Sequence, residues 1–301
     1  MPLQKQTIKR LIAALLLCIT STTYAKTFSE TKNLLTIKPH VKLWTEIHGK
    51  GMPVVILMNG GGDTIQTEWT RVIPAISKLT TVLAYDRVGE IKSPPLSNLK
   101  PRTASGIVTR LRLLLKTLHL KPPYVLVAHS IGGLYAQYYA RHYPKEIAAI
   151  VTIDGNLIKQ QYPEMINGVS KKTISTINEE NKAHRKKLNT ELKSTLKSIT
   201  TTPTPAQAAQ IEYSLEVMGK EESARQVMAS PPPSKQLIIA ALSAGTYALE
   251  NNIQKQFAYQ VPNHIFAVFP QCGHYIQNCE PGKVNAIIKK VILMVRQKKQ
   301  P

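Results

Sequence analysis

Aspartate is scarce in this chain: only Asp63, Asp86 and Asp154 occur in 301 residues. Any chemistry that needs an aspartate must draw on one of these three. Cysteine is equally rare, with Cys18, Cys272 and Cys279 alone. Cys272-x-His274 with Cys279 is irregularly spaced and one ligand short of a tetrahedral zinc site, so no metal is expected. No apolar run is long enough to cross a bilayer, which argues against an integral membrane protein. No zinc finger, RNA-recognition signature or aromatic-studded basic loop occurs, so no specific nucleic-acid site is expected. The one glycine run, Gly60-Gly61-Gly62, lacks the Lys-Ser or Lys-Thr that follows a nucleotide phosphate loop.

Positive charge, by contrast, is abundant. Lysine and arginine number 39 against 18 acids, a formal net charge of +21. Three of those cations, Lys5, Lys9 and Arg10, precede a short apolar stretch from Leu11 to Ile19, and Thr23-Tyr24-Ala25 follows with small residues at its first and last positions. That order reads as a secretory signal over residues 1–25, cleaved after Ala25. An exported protein, periplasmic or secreted, is expected, with a mature charge of 21 − 3 = +18. Cys18 follows Leu17 rather than a small residue, which argues against a lipid anchor. The +18 surface favours an anionic surface as a partner and is not evidence of a specific site. Cys272 and Cys279, an even pair in an oxidising compartment, are a candidate disulfide, with two free thiols as the alternative.

The mature chain alternates between apolar runs and helical stretches. Val41 to His48 reads as an antiparallel edge strand. Pro53 to Met58, Thr81 to Tyr85, Tyr124 to Val127 and Ile147 to Ile153 are short continuous apolar runs, as in strands covered on both faces. Helices are expected over about 67–78, 103–118 and 134–141. This is the pattern of a doubly wound α/β sheet, mostly parallel. The alternation stops after Asp154. Residues 155–235 carry charged helical stretches and proline punctuation but no buried strand, and read as an inserted helical cap. Strand, helix, strand and helix resume from Gln236. The expected organisation is a core of residues 26–154 and 236–301 with a cap between.

One five-residue stretch, Ala128-His129-Ser130-Ile131-Gly132, links a buried strand to a helix. A serine at the apex of such a turn is the nucleophile elbow, where only small residues fit two positions either side. Ala128 replaces the first glycine of the usual pattern. Three further blocks lie around it in order: Asn59-Gly60-Gly61-Gly62-Asp63, then Asp86-Arg87-Val88-Gly89 with Ser93, and finally Gly273-His274 before the last helix. Together these blocks resemble the α/β-hydrolase superfamily of serine hydrolases, of the alpha/beta-fold esterase and peptidase type, over about Val41 to Val295.

The resemblance implies Ser130 as nucleophile and His274 as general base, last in chain order. The acid must orient the imidazole. Asp154, ending the strand after the nucleophile helix, fits best, and Glu250 is the alternative acid. An oxyanion hole is expected from the N–H groups of Ile131 and Gly61. Adjacent His129 is expected to point away from the attacking face. Asp86-Arg87 is expected to form a structural ion pair. No organic cofactor is implied. A serine at the elbow argues against the dehalogenases and epoxide hydrolases that resemble this fold but use aspartate there. The expected function is an exported serine hydrolase that cleaves a carboxylic ester or related acyl bond of a small-molecule substrate. An amidase or aminopeptidase, an acyltransferase or peroxidase-like activity on the same triad, and a non-catalytic binding protein with this fold are the alternatives.

Overall fold

In a computed structural model of the protein, the described residues are 30–95, 99–161, 164, 169–199, 203–245 and 248–298. The expected signal over 1–25 and Cys18 lie outside them. Eight strands are β1 (Glu30–Lys38), β2 (Val41–His48), β3 (Val54–Met58), β4 (Val82–Tyr85), β5 (Tyr124–His129), β6 (Ile147–Ile153), β7 (Ile238–Ser243) and β8 (Asn263–Val268). The helices, in our numbering, are α1 (Ile65–Glu68), α2 (Ile73–Ile76), α3 (Ala104–Thr117), α4 (Gly132–His142), α5 (Ile158–Gln161), α6 (Lys171–Ser198), α7 (Pro205–Met218), α8 (Lys220–Ala229), α9 (Ala248–Ala258), α10 (Ile276–Cys279) and α11 (Pro281–Gln297).

All eight strands join one sheet in the order β1-β2-β4-β3-β5-β6-β7-β8. The β1–β2 and β2–β4 pairs are antiparallel and the rest are parallel. The central strands are apolar without alternation because both faces are covered. On β3, Val54, Ile56 and Met58 face α3 and α4, where Leu111, Leu134 and Tyr139 pack. Val55 and Leu57 face the opposite layer, with Trp69, Ile76 and, from α11, Val284, Ile288 and Val291. This two-sided burial fixes the sheet, and every parallel strand therefore ends at the same edge.

Two readings of the elements need correction. Val41–His48 is not the edge strand; β1 lies outside it, in antiparallel register from Glu30 opposite His48. The stretch over 67–78 is not one helix but two single turns, α1 and α2. Pro74 stands in the first turn of α2. A proline inside a continuous helix would remove one hydrogen bond and clash with the preceding turn.

Between β6 and β7 the chain leaves the sheet and forms α5 to α8. Leu192 of α6 packs on Ile211 and Leu215 of α7, giving this layer a small core of its own. Buried polar contacts tie it to the sheet. Arg102 Nε and Nη2 donate to Glu212 at 2.7 and 2.6 Å. At the start of α3, the N–H groups of Ala104 and Ser105 donate to Ser223 Oγ and Gln226 Oε1 of α8. These N–H groups have no partner within their own helix, so the inserted layer caps a helix of the core.

The expected Asp86–Arg87 ion pair is not formed. Asp86 Oδ1 accepts the Ile65 N–H at 2.9 Å, whereas Arg87 reaches Glu90 and Glu216. Successive side chains leave an extended strand on opposite sides, so two neighbours at a strand end point apart.

Candidate active site

The edge where the parallel strands end carries the loops of interest. Ser130 joins β5 to α4 with φ of 49°, a left-handed conformation that is strained for a residue with a side chain. The turn holds because its neighbours are small. A Cβ on Gly132 would lie 2.8 Å from the Met58 carbonyl oxygen, and one on Gly133 would lie 2.9 Å from that of Asn156. The Ser130 carbonyl is fixed by the Gly133 and Asn156 N–H groups at 2.9 and 2.6 Å. The half-buried Ser130 hydroxyl makes no hydrogen bond among the described residues.

Asp154 directly follows β6, also left-handed at φ of 43°. Its Oδ1 accepts the Ala244 N–H at 3.1 Å, and its Oδ2 is 2.6 Å from His274 Nδ1. A carboxylate only accepts, so Nδ1 carries the proton and Nε2 is left with a lone pair. Glu250, near the start of α9, makes no hydrogen bond to His274 among the described residues. Burial and the nearby Asp154 push its carboxyl up. Cys272 and Cys279 are joined by a disulfide with a Cα–Cα distance of 5.8 Å, and the closed loop contains the exposed His274.

Beside the elbow, the Gly61 and Ile131 N–H groups have no hydrogen-bond partner among the described residues. A Cβ on Gly61 would lie 3.7 Å from Ile131 Cγ2 and 3.3 Å from the ring of Tyr213, which α7 extends over the glycines. Arg87 braces this turn from behind, with Nη1 and Nη2 donating to the Asn59 and Gly60 carbonyls at 2.8 and 2.7 Å. The arrangement offers two unpaired donors next to a serine, and an imidazole oriented by a carboxylate. Those are the parts an acyl transfer requires.

Several contacts here gave no signal in the sequence. Glu68 and His129, both fully buried, are hydrogen-bonded to each other. His129, expected to point away from the attacking face, lies buried with Nε2 3.0 Å from the His274 carbonyl oxygen. Gly60 N–H donates to Glu68 Oε1 and Oε2 at 2.9 and 3.1 Å. Burial pushes the Glu68 carboxyl well up and the His129 imidazole down. Tyr275 OH donates to Asp63 at 3.2 Å. Burial, with Asp63 next, raises this phenol to about 12. Asp63, Glu68 and His129 bring three possible ligand atoms within 4.8 Å. Glu68 and His129 already bond each other, and Glu68 also takes the Gly60 N–H, so the trio forms a closed polar network rather than an open coordination site.

Residues 53–279 match the sequence profile of the alpha/beta hydrolase fold family. Among curated proteins, the chain is similar to the uncharacterized protein YbdG of Bacillus subtilis, with 32% identity over 124 residues, covering 41% of this chain and 38% of YbdG. The chain spans less than half the length of the curated relatives it matches. Among solved structures, a thermophilic esterase from Thermogutta terrifontis aligns with a TM-score of 0.59 at 19% identity, covering 89% of this chain and 99% of the esterase. A structure from a study of carboxylesterases of Nitrososphaera gargenis aligns with a TM-score of 0.61 at 17% identity, covering 88% of this chain and all of the other.

Proposed function

The chain belongs to the alpha/beta hydrolase fold family, and from that premise we propose that it is an exported serine hydrolase that cleaves a carboxylic ester of a small molecule. The observation that carries this reading is the 2.6 Å contact of His274 Nδ1 with Asp154 Oδ2, on loops beside the strained Ser130 elbow. His274 Nε2 takes the proton of Ser130 as its Oγ attacks the carbonyl carbon. Asp154 stabilises the imidazolium. The Gly61 and Ile131 N–H groups receive the developing oxyanion. His274 then returns the proton to the leaving alcohol, and an acyl-enzyme remains. Water, deprotonated by the same imidazole, attacks the acyl carbon and releases the acid. No step calls for a metal or organic cofactor. The esterases among the similar structures favour an ester over an amide.

A specific observation adds a partner to this reading. In α6, Lys171, Lys172, Lys182, Lys186, Lys193 and Lys197 are all exposed. At 3.6 residues per turn they fall in one sector of about 100° running along a helix of roughly 42 Å. Leu188 and Leu192 occupy the packed side. Among the described residues only Lys182 of the six is in an ion pair, with Glu179. A straight row of lysines suits an extended anionic surface, and this row is the feature by which the enzyme would rest on anionic lipid headgroups.

Fluorophosphonate labelling tests the catalytic reading. Wild-type protein is expected to label at Ser130 and to hydrolyse members of a p-nitrophenyl ester panel. Ser130→Ala is expected to lose both while keeping its circular dichroism spectrum. A Ser130→Ala variant that labels and turns over like wild type overturns the assignment.

A further inference from the structure

Acyl transfer as described leaves one buried acid and one buried imidazole without a part. Glu68 and His129 are both 0% exposed, and they lie 61 residues apart in sequence. Their contacts reach all three segments that carry the proposed chemistry. Glu68 accepts the N–H of Gly60, the residue before the oxyanion glycine. His129 is covalently next to Ser130. His129 Nε2 lies 3.0 Å from the main-chain carbonyl oxygen of His274.

Hydrogen-bond chemistry fixes how the protons sit. The His274 carbonyl only accepts, so His129 Nε2 carries a proton. With Glu68 at its other nitrogen, the pair shares one further proton between Glu68 Oε1 and His129 Nδ1. Transfer of an isolated charge into such a site is costly. The neutral arrangement, a carboxylic acid donating to Nδ1, satisfies every atom: Gly60 N–H to the carboxyl, carboxyl O–H to Nδ1, and Nε2–H to the carbonyl. The direction in which burial moves both groups agrees with this protonation.

The need for such a brace is visible in the base loop. His274 is exposed, and a Cβ on the preceding Gly273 would meet nothing within 4 Å. The Cys272–Cys279 bridge closes this loop on itself but does not tie it to the elbow. Among the described residues, the tie between the His274 main chain and the elbow is His129.

We propose that Glu68 and His129 are positioning residues: a neutral, buried pair that holds the oxyanion turn, the Ser130 elbow and the His274 loop in one mutual register. This rests on the acyl-transfer reading for its consequence in rate, but not for its consequence in structure. A displacement of about 1 Å between reacting groups is enough to cost roughly 100-fold in rate.

Three variants of the full chain test it. Glu68→Met keeps the length and removes both contacts. His129→Phe keeps the ring and removes the tie to His274. Glu68→Gln is the conservative rescue, because its carboxamide accepts from Gly60 through oxygen and donates to His129 Nδ1 through nitrogen. Glu68→Met and His129→Phe are expected to lower kcat for an activated ester about 10- to 100-fold with KM within about threefold, the split of an interaction that matters to the reacting geometry rather than to substrate binding. Glu68→Gln is expected to stay within about threefold of wild type.

A second readout is independent of turnover. In 15N-histidine-labelled protein, the downfield Nδ1–H resonance of His274 is expected to shift or broaden in Glu68→Met and His129→Phe, and to persist in Glu68→Gln and in Ser130→Ala. If Glu68→Met does not fold, His129→Phe carries both measurements. Folded variants with wild-type kcat and an unchanged His274 resonance overturn the proposal. A Glu68→Gln variant as impaired as Glu68→Met overturns it too. A wild type that hydrolyses nothing removes the acyl-transfer reading, and the resonance alone then decides the positioning role.

Discussion

Asp154 shows what a single residue can be asked to do. It stands in a left-handed backbone conformation, accepts one main-chain N–H, and presents its second oxygen to His274. Asp154→Asn is expected to lower kcat far more than Glu250→Gln, because an amide cannot hold the Nδ1–H tautomer as a carboxylate does. In a serine-protease triad the same exchange costs about 10⁴-fold; the direction is expected here, and steady-state kinetics on one ester ranks the two variants. Asp86 makes a different prediction. Burial raises its carboxyl to about 6, above the unfolded value, so its contribution to stability is fully present at low pH and is lost as pH rises toward and through about 6. The shift corresponds to about 3 kcal/mol. Asp86→Asn, which stays neutral, is expected to flatten that part of the stability–pH curve measured by urea unfolding between about pH 4 and 7. A curve unchanged by the substitution would contradict the assignment. At this scale the sequence was legible where chemistry restricts choice. Three aspartates, one serine in a strand-to-helix turn and one histidine after the last strand narrow the candidates to Ser130, His274 and Asp154, with Glu250 as the alternative acid. Glu68 was opaque, since its partners Gly60 and His129 are set by the fold and no local pattern marks a buried acid in a four-residue helix.

Strands covered on both faces read directly from their apolar runs, and the central parallel strands fall where those runs are. The element that could not be read is β1. Its sequence ETKNLLTIK is exposed over most of its length, and what holds it is the main-chain ladder to β2 rather than a buried face. The inserted layer was legible as a break in alternation, but its attachment was not, because Glu212 and Glu216 look like ordinary surface acids of an amphipathic helix. Both are buried against arginines of the core. Breaking such a pair leaves a buried charge uncompensated, at about 3–5 kcal/mol, whereas replacing both partners with apolar residues is close to neutral. Arg102→Met is accordingly expected to destabilise the protein by about that amount, and Arg102→Met with Glu212→Leu to recover most of it. Denaturant melts of the two variants and the wild type give the comparison; an Arg102→Met variant as stable as wild type would show that the pair does not anchor the layer.

Across the whole molecule, charge is the feature that composition announces and structure resolves. A net charge of +21 names no partner by itself. The row of six exposed lysines on α6 is the face proposed for an anionic partner. Co-sedimentation with vesicles of phosphatidylglycerol, but not of phosphatidylcholine, is expected, and raising the salt from about 0.05 to 0.5 M should abolish it, since screening shortens with ionic strength. Substituting Lys186, Lys193 and Lys197 with Gln should weaken binding to vesicles without changing hydrolysis of a water-soluble ester. Equal binding by the triple variant, or stronger salt-sensitive binding to an oligonucleotide than to vesicles, would remove the lipid surface as the partner.

Arg87 bears on how this protein can be re-engineered. Its guanidinium clasps the carbonyls of Asn59 and Gly60, behind the glycine turn, while its other N–H groups meet Glu216 of α7 and Glu90. The inserted helices are thus not an interchangeable module. A chimera that grafted another protein's lid between β6 and β7 would strip Arg87 of Glu216, and the first casualty would be the turn proposed to receive the oxyanion rather than the lid itself. Transplants that carry an acid to the place of Glu216 should keep turnover; those that do not should bind ligand and fail at the chemical step.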